Sequence, residues 1–324
     1  MAIIIRFYAA VCVLLLSPAF ASARPQVASR ADRAVATSVC ENAQEHLISV
    51  NGGRVRYLEA GAGRTVVLIH GNAGSADDFS YRAVRVLCGE YRVVAIDRPG
   101  HGKSDRLTKD PARLESQAAS LHETLKSLGI KQPILIGHSW GASLALAYAL
   151  TYQDDISGMV LLAPAAYREP LQNAWWLTIV KRPVIGEVSL AVGKLLFGKR
   201  MLKKELQLAF YPQTVPDDYL KTANAWLCRK ELKSYLEDES HLNASLETLS
   251  RRYPEIRLPV IIVTGDSDKI VSPQANAYRL NAAISQSQLL ELKHTGHEIP
   301  QTDPQSIRTA LAMISNSAAY TTIH

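Results

Sequence analysis

The chain has 324 residues, of which 47% are hydrophobic and 20% are charged, and its formal net charge is +6. This composition excludes a disordered chain and predicts one large globular domain with an insertion. The basic balance does not indicate a nucleic-acid-binding protein, because no recognition motif accompanies the charge.

The first 23 residues have the features of a secretory signal peptide. Met1–Arg6 carries one positive charge, Phe7–Leu16 is apolar, and Ala21–Ala23 is a run of small residues that a signal peptidase reads. We predict cleavage after Ala23 and therefore an exported protein, periplasmic or secreted. The alternative is an N-terminal membrane anchor, although the apolar stretch is shorter than the roughly 20 residues of a membrane span.

Residues 24–44 are rich in Ala, Ser, Arg and Val without a clear period, and we interpret them as a linker. Export would leave Cys40, Cys88 and Cys228 in an oxidising compartment. A disulfide between Cys40 and Cys88 fits the sequence as well as three unpaired thiols do. No C-x-x-C motif is present, so a redox or zinc site has no support.

Strands and helices alternate along the rest of the chain. Two strands flank Asn51–Gly53, whose Asn and Gly residues favour a hairpin turn. Strands are predicted at His46–Val50, Arg54–Glu59, Thr65–Ile69, Tyr91–Ile96, Pro133–Gly137, Gly158–Ala163, Val260–Thr264 and Gln288–Leu292, and helices at Asp77–Gly89, Pro111–Leu128, Trp140–Tyr152, Gln274–Ala283 and Pro304–Ile314. This order predicts an α/β fold with a mostly parallel, eight-stranded sheet flanked by helices.

About ninety residues, from Tyr167 to Pro259, separate two of these strands, far more than a single crossover needs. We predict a helical cap over residues 167–255, between a first core part at 45–166 and a second at 256–324. The window 174–204 holds seven Lys and Arg residues and one acid. A solvated cap face explains this charge, and so does contact with an anionic membrane surface or an anionic substrate.

The stretch LIGHSWGAS, residues 135–143, places Ser139 between Gly137 and Gly141. A predicted strand precedes the serine and a predicted helix follows it, which is the setting of an exposed nucleophile. The two glycines remove side chains that would clash in so sharp a turn. We therefore interpret Ser139 as a nucleophile.

A serine nucleophile needs a histidine base, and the base needs a carboxylate that fixes its tautomer. Asp266 and Asp268 follow one predicted strand, and His294 and His297 follow the next. Because parallel strands end at the same edge of a sheet, these side chains are expected near Ser139. Spacing alone does not choose between the two acids or between the two histidines. The histidines lack a third ligand, so we predict no metal site.

Five stretches occur in a characteristic order: LIHGNAG (68–74), DRPGHGKSD (97–105), GHSWG (137–141), GDSDKIVSP (265–273) and TGHEIP (295–300). Together they resemble the α/β-hydrolase superfamily, which includes esterases, carbon–carbon bond hydrolases, epoxide hydrolases and haloalkane dehalogenases. The resemblance covers about residues 46–316. It implies Asp268 rather than Asp266 as the acid, and His297 rather than His294 as the base.

The resemblance also implies two oxyanion donors, the backbone N–H groups of Asn72 and Trp140. The Asn72 side chain is a candidate for a further donor, and the turn Asp97–Gly102 is interpreted as structural. Superfamily members that break carbon–halogen bonds or open epoxides attack with a carboxylate, whereas this chain has Ser139. An alkylated serine would be an ether that water cannot release, so dehalogenation is not expected.

The predicted function is therefore cofactor-free hydrolysis of a carboxylic ester or related acyl bond of a small apolar substrate. The first alternative is a hydrolase of carbon–carbon bonds in ketone-containing acids, which uses a similar Ser, His and Asp set. The second is a non-catalytic ligand-binding protein on the same fold, which an intact triad argues against.

Overall fold

One mixed sheet forms the centre of the protein. The computed structural model describes residues 43–80, 82–106, 112–169 and 198–322. Its strands are β1 (Gln44–Val50), β2 (Gly53–Ala60), β3 (Arg64–Ile69), β4 (Tyr91–Ile96), β5 (Ile134–His138), β6 (Gly158–Leu162), β7 (Val260–Gly265) and β8 (Ser287–Leu292). In these residues the spatial order is β1-β2-β4-β3-β5-β6-β7-β8, with β2 antiparallel to both neighbours and the other pairs parallel. The predicted α/β class and mostly parallel eight-stranded sheet are confirmed.

Helices flank this sheet on both faces. The helices of the described residues are α1 (Asp77–Ser80), α2 (Ala83–Leu87), α3 (Leu114–Ser127), α4 (Trp140–Tyr152), α5 (198–210), α6 (Asp217–Ala223), α7 (Arg229–Leu249), α8 (Arg279–Ala283), α9 (Ile299–Thr302) and α10 (Gln305–Thr322). Short 3-10 segments lie at Gln153–Asp155, Asn224–Leu227 and Ser250–Glu255, and a π-helical turn at Gln274–Tyr278 precedes α8.

Several predicted helices have different bounds in the structure, and two of them differ clearly. The single helix predicted over Asp77–Gly89 is the pair α1 and α2, because Arg82 between them has a φ of −124° and leaves helical geometry. The last helix continues past the predicted end at Ile314 to Thr322. Its final turns include Ala318 and Ala319, and alanine has the highest helix propensity.

The central strands are buried on both faces, which explains why they read as continuous apolar runs. In β3, Val67 and Ile69 belong to one core cluster, whereas Val66 and Leu68 belong to the cluster on the opposite face. The first cluster includes residues of α3, α4 and α8, and the second includes residues of α1, α2 and α10. The sheet is thus the middle of three layers.

The described residues between β6 and β7 are largely helical and have their own apolar core. Phe210, Trp226 and Leu236 of this insertion are buried in one cluster with Ile270 and Val271, which follow β7. The insertion therefore packs on the loops at the carboxyl ends of the strands. This arrangement is compatible with the predicted cap. Residues 170–197 of the predicted cap lie outside the described ranges.

A buried ion pair joins the insertion to the sheet. The Arg98 guanidinium, which follows β4, lies 2.7 Å from Asp238 of α7, and both side chains are almost fully buried. Asp238 also accepts hydrogen bonds from Arg106 at 3.0 Å and from Gln117 at 3.1 Å, and its Oδ2 lies 2.9 Å from His101 Nε2. Because a charge without a partner is costly inside a protein, these residues fix α7 against the core.

Several predictions concern the amino-terminal region and the cysteines. The predicted signal peptide 1–23 and the alternative anchor lie outside the described residues, and β1 already begins at Gln44, the last residue of the predicted linker. Cys88 is disulfide-bonded, and Cys228 is exposed and free. The predicted partner Cys40 lies outside the described ranges. Within those ranges, no helix combines the length and the apolar character that a membrane span requires.

We expect Asp238→Ala to lower the free energy of unfolding by about 3–5 kcal/mol, because it leaves the Arg98 charge buried without its partner. The neighbouring Glu237→Ala serves as a matched control, since the Glu237 side chain is 39% exposed and makes a surface pair with Arg106. That control is expected to cost about 1 kcal/mol or less. Urea unfolding measures both, and equal losses would contradict the role of the buried pair.

Candidate active site

Ser139 occupies the sharp turn between β5 and α4. Its φ of 53° and ψ of −115° are strained for a residue with a side chain, and such strain is characteristic of an exposed nucleophile. The turn is also crowded: a Cβ on Gly141 would lie 2.2 Å from the carbonyl oxygen of Ile69. The glycine is therefore required by the close approach of β3, as the sequence pattern indicated.

Asp268 and His297 meet after β7 and β8. The Nδ1 atom of His297 lies 2.7 Å from Oδ2 of Asp268, and both side chains are at least 95% buried. The other carboxylate oxygen of Asp268 accepts backbone N–H groups from Ile270 at 2.7 Å and Val271 at 2.9 Å. Although burial opposes ionisation, His297 and these N–H groups lower the pKa of Asp268. The site thus holds an ionised acid against a histidine.

Asp266 and His294, the other acid and histidine that spacing allowed, lie at the surface. Asp266 is exposed and pairs with the neighbouring Ser267 hydroxyl at 2.9 Å. His294 is exposed on a residue with a φ of 52°, in the turn before the buried His297. The structure therefore brings Asp268 and His297 together and leaves Asp266 and His294 at the surface.

A cavity lies between the sheet edge and the insertion, and Ser139 and His297 both line it. Its empty volume is about 820 Å³ with the open mouth counted. Its apolar lining consists mainly of Leu206, Ala209, Leu242, Leu246, Ile270 and Val271. The described contacts include no hydrogen bond between Ser139 and His297, and catalytic hydrogen bonds of ligand-free sites often form only when substrate binds.

Asn72 and Trp140 also line the cavity. The described hydrogen bonds provide no acceptor for the backbone N–H of either residue, and Trp140 is the first residue of α4, where N–H groups point out of the helix. Both N–H groups are thus available to an anion. The Asn72 side chain is not a free donor, because its amide nitrogen binds Glu239 at 2.9 Å and the carbonyl of Tyr235 at 3.3 Å. That part of the prediction is wrong.

Two positioning residues were missed by sequence reasoning. Burial lowers the pKa of His138 to about 3, so its ring is neutral and Nε2–H donates to the carbonyl oxygen of His297 at 3.0 Å. The backbone N–H of His297 donates to the carbonyl oxygen of Ala209 of α5 at 2.8 Å.

Arg98 lies in a turn predicted to be structural. It is 3.8 Å from the ring of Trp140 and 3.2 Å from the carbonyl of Gly71. Arg98 thus contacts both segments that carry the predicted oxyanion donors.

The charged lining of the cavity is acidic. Four carboxylic acids line it, and no Lys or Arg of the described residues does: the acids are Asp78, Glu169, Glu239 and Glu298. Burial raises the pKa of Asp78, Glu239 and Glu298. Among the residues described, no group of three or more His, Cys, Asp or Glu side chains is placed to hold a metal ion.

Comparison with known proteins places this geometry in a family. The sequence model of the alpha/beta hydrolase fold family matches residues 64–304. The chain belongs to this family. The 2-hydroxy-6-oxononadienedioate/2-hydroxy-6-oxononatrienedioate hydrolase of Comamonas testosteroni is 29% identical over 253 residues, covering 75% of this chain and 85% of the relative. Lipase 1 of Psychrobacter immobilis is 26% identical over 259 residues, covering 78% and 77%.

Solved structures share the fold. Wild-type Cfl2 from Burkholderia cenocepacia matches with a TM-score of 0.69 at 23% sequence identity, over 84% of this chain and 95% of that one. A likeness at this identity concerns the fold alone. The two sequence relatives both carry the name of a hydrolase, which supports the predicted hydrolase function at that level.

We expect His138→Phe to reduce kcat/KM for p-nitrophenyl butyrate about five- to tenfold, because it removes one hydrogen bond that positions His297. His122→Phe is the matched control: His122 stacks on Tyr152 with ring centroids 4.1 Å apart and does not line the cavity. Steady-state kinetics measure both variants. Wild-type activity in His138→Phe would show that the bond to the His297 carbonyl does not position the base.

Proposed function

We propose that the protein is a serine hydrolase that cleaves a carboxylic ester or related acyl bond of an apolar substrate through an acyl-serine intermediate. The observation that carries the proposal is the 2.7 Å contact between His297 and the buried Asp268, beside a serine held in a strained turn in the same cavity. In this proposal Ser139 is the nucleophile, His297 the base, and Asp268 the acid that orients the base.

The first half of the reaction forms the acyl-enzyme. The Ser139 hydroxyl oxygen attacks the ester carbonyl carbon while Nε2 of His297 takes the hydroxyl proton. The carbonyl oxygen becomes an oxyanion, which the N–H groups of Asn72 and Trp140 stabilise. When the tetrahedral intermediate collapses, the carbon–oxygen bond to the alcohol breaks, and His297 returns the proton to the leaving oxygen.

The second half restores the enzyme. His297 takes a proton from water, whose oxygen attacks the acyl carbon. Collapse of the second tetrahedral intermediate breaks the bond to Ser139, which regains its proton, and releases the carboxylic acid. Asp268 stays ionised throughout and stabilises the imidazolium of His297, which its short contact with Nδ1 favours. No step requires a cofactor.

An ester fits the cavity better than the substrates of the carbon–carbon bond alternative. The relative from Comamonas testosteroni is named for dioate substrates, which carry two carboxylate groups. The cavity of this chain offers four carboxylic acids and no described Lys or Arg to such a molecule. A carboxylate of such a substrate would find no Lys or Arg partner among the described lining residues, so we favour an uncharged ester bond in an apolar substrate over a ketone-containing acid.

We also propose that the chain is exported after removal of residues 1–23. The apolar stretch Phe7–Leu16 and the small residues at Ala21–Ala23 support export. The disulfide at Cys88 is consistent with an oxidising compartment.

Labelling with a fluorophosphonate probe tests the proposed function. We expect covalent labelling of Ser139 in the wild type and none in Ser139→Ala, together with a loss of kcat on the order of 10³-fold. Asp268→Asn and His297→Ala should lose activity severely, whereas the matched controls Asp266→Asn and His294→Ala should stay near wild type. The assay uses p-nitrophenyl esters of graded chain length beside a vinylogous diketone acid.

The outcomes separate the three functions that the sequence allows. Cleavage of the diketone acid without cleavage of any ester would favour the carbon–carbon bond hydrolase. Binding of esters without labelling or turnover would favour a ligand-binding protein. A severe loss in Asp266→Asn with little loss in Asp268→Asn would overturn the assignment of the acid.

We further propose that α5 contacts anionic membranes. Its Lys199, Arg200, Lys203 and Lys204 are exposed. Because the last three follow Lys199 by one, four and five residues, all four lie on one side of the helix. Exposed cations attract anionic headgroups by about 1 kcal/mol each at low salt. These four residues are the described part of the basic window in the sequence.

Replacing these four residues by Gln should weaken binding to phosphatidylglycerol vesicles while hydrolysis of a soluble p-nitrophenyl ester stays unchanged. Binding should also fade as salt rises, because exposed charges are screened beyond about 10 Å at 0.1 M ionic strength. A matched variant replaces four exposed cations of the core: Arg85, Lys126, Lys131 and Arg257. Vesicle co-sedimentation measures all three proteins, and equal binding would identify α5 as an ordinary solvated face.

A further inference from the structure

The acidic lining of the cavity, defined as Asp78, Glu169, Glu239 and Glu298, has no role in acyl transfer. We propose that it binds a cationic group, an alkylammonium, carried by the substrate. This inference rests on the proposed function and specifies the substrate: an ester with apolar parts and one positive charge.

Glu239 points to a ligand most directly. Its side chain is on α7, lines the cavity and is only 5% exposed, and one carboxylate oxygen, Oε2, accepts the Asn72 amide at 2.9 Å. The other oxygen, Oε1, is buried and has no hydrogen-bond partner within the described structure. A buried polar atom of this kind costs free energy unless a partner arrives. A positive charge beside this oxygen would stabilise it, and an alkylammonium supplies that charge, together with a hydrogen bond where its nitrogen carries hydrogen.

A second part of the acidic lining repeats this pattern. Asp78 accepts the N–H of Ser75 at 3.1 Å through Oδ2, whereas its Oδ1 is buried without a partner in the residues described. Glu298 accepts the Tyr219 hydroxyl at 3.4 Å. Burial raises the pKa of Asp78, and electrostatic repulsion from Glu298 raises it further. One positive charge in the cavity would reduce both the cost of the unpartnered Asp78 oxygen and the repulsion between Asp78 and Glu298.

Aromatic rings beside the carboxylates suit the same ligand. Tyr235 precedes Glu239 by four residues on α7, so the two side chains are neighbours on one helix face, and both line the cavity. Trp226 and Tyr219 line it as well, with ring centroids 5.9 Å apart. Ring faces attract ammonium groups, and they do so more strongly when water is excluded. Carboxylates with aromatic rings, and without a described Lys or Arg, favour a cation over an anion.

A pair of isosteric esters tests the proposal. Butyrylcholine carries a quaternary nitrogen where 3,3-dimethylbutyl butyrate carries a quaternary carbon, so the two differ in charge and hardly in shape. We expect kcat/KM to favour the choline ester by about tenfold or more, the size of a charged contact in a buried site. Glu239→Gln and Glu298→Gln should each reduce this ratio. Glu247→Gln is the matched control, because Glu247 is on α7, 50% exposed, and pairs at the surface with Arg168.

A phosphonate pair keeps the test independent of turnover. Two phosphonates, one with a trimethylammonioethylthio leaving group and one with a dimethylbutylthio leaving group, differ only in that charge. Faster labelling of Ser139 by the cationic phosphonate is expected, and Glu239→Gln should remove the difference. Equal or slower labelling by the cationic phosphonate, or hydrolysis of the neutral ester without preference for choline, would overturn the cation site. If neither phosphonate labels Ser139, the proposed serine hydrolase fails instead.

Discussion

The buried pair of Arg98 and Asp238 is the interaction on which the candidate site depends. Asp238 fixes the guanidinium at 2.7 Å, and the same guanidinium reaches the carbonyl of Gly71 at 3.2 Å and the ring of Trp140 at 3.8 Å. Gly71 precedes one candidate oxyanion donor, and Trp140 is the other. A single cation thus connects α7 of the insertion, the loop after β3 and the start of α4. The insertion is therefore part of the site's architecture and not only its cover.

Much of the fold and the position of the site could be predicted because both follow from local patterns. The central strands have apolar residues on both faces, so their runs are visible without knowledge of their partners. Ser139, Asp268 and His297 come within a few residues of the ends of three parallel strands, and such ends converge. The choice of Asp268 over Asp266 came only from family resemblance. Two residues of turn geometry separate a buried acid from an exposed one, and spacing does not encode that difference.

What sequence reasoning missed are contacts between distant parts of the chain. Arg98 and Asp238 are far apart in sequence, and no periodicity links a turn after β4 to the middle of α7. The Asn72 amide was expected to be free, but Glu239 of the same helix accepts it. His138 precedes the candidate nucleophile in sequence, whereas in the fold its ring donates a hydrogen bond to the carbonyl of His297. In each case a polar group that sequence shows as available is already bonded in the fold.

Asp238 and Glu239 show how strongly partners decide the state of a buried acid. They are consecutive residues of α7, and both are almost fully buried, so burial opposes ionisation in each. For Asp238, the charges of Arg98 and Arg106 and the hydrogen bond with His101 outweigh burial and bring the pKa to about 2. Glu239 has the Asn72 amide as its hydrogen-bond donor, and its pKa is raised. On one side of α7, Asp238 is bound by these structural partners and does not line the cavity. The adjacent side presents Glu239 to the cavity, where the attraction of Arg98 does not outweigh burial, and the proposed cation would stabilise its ionised form.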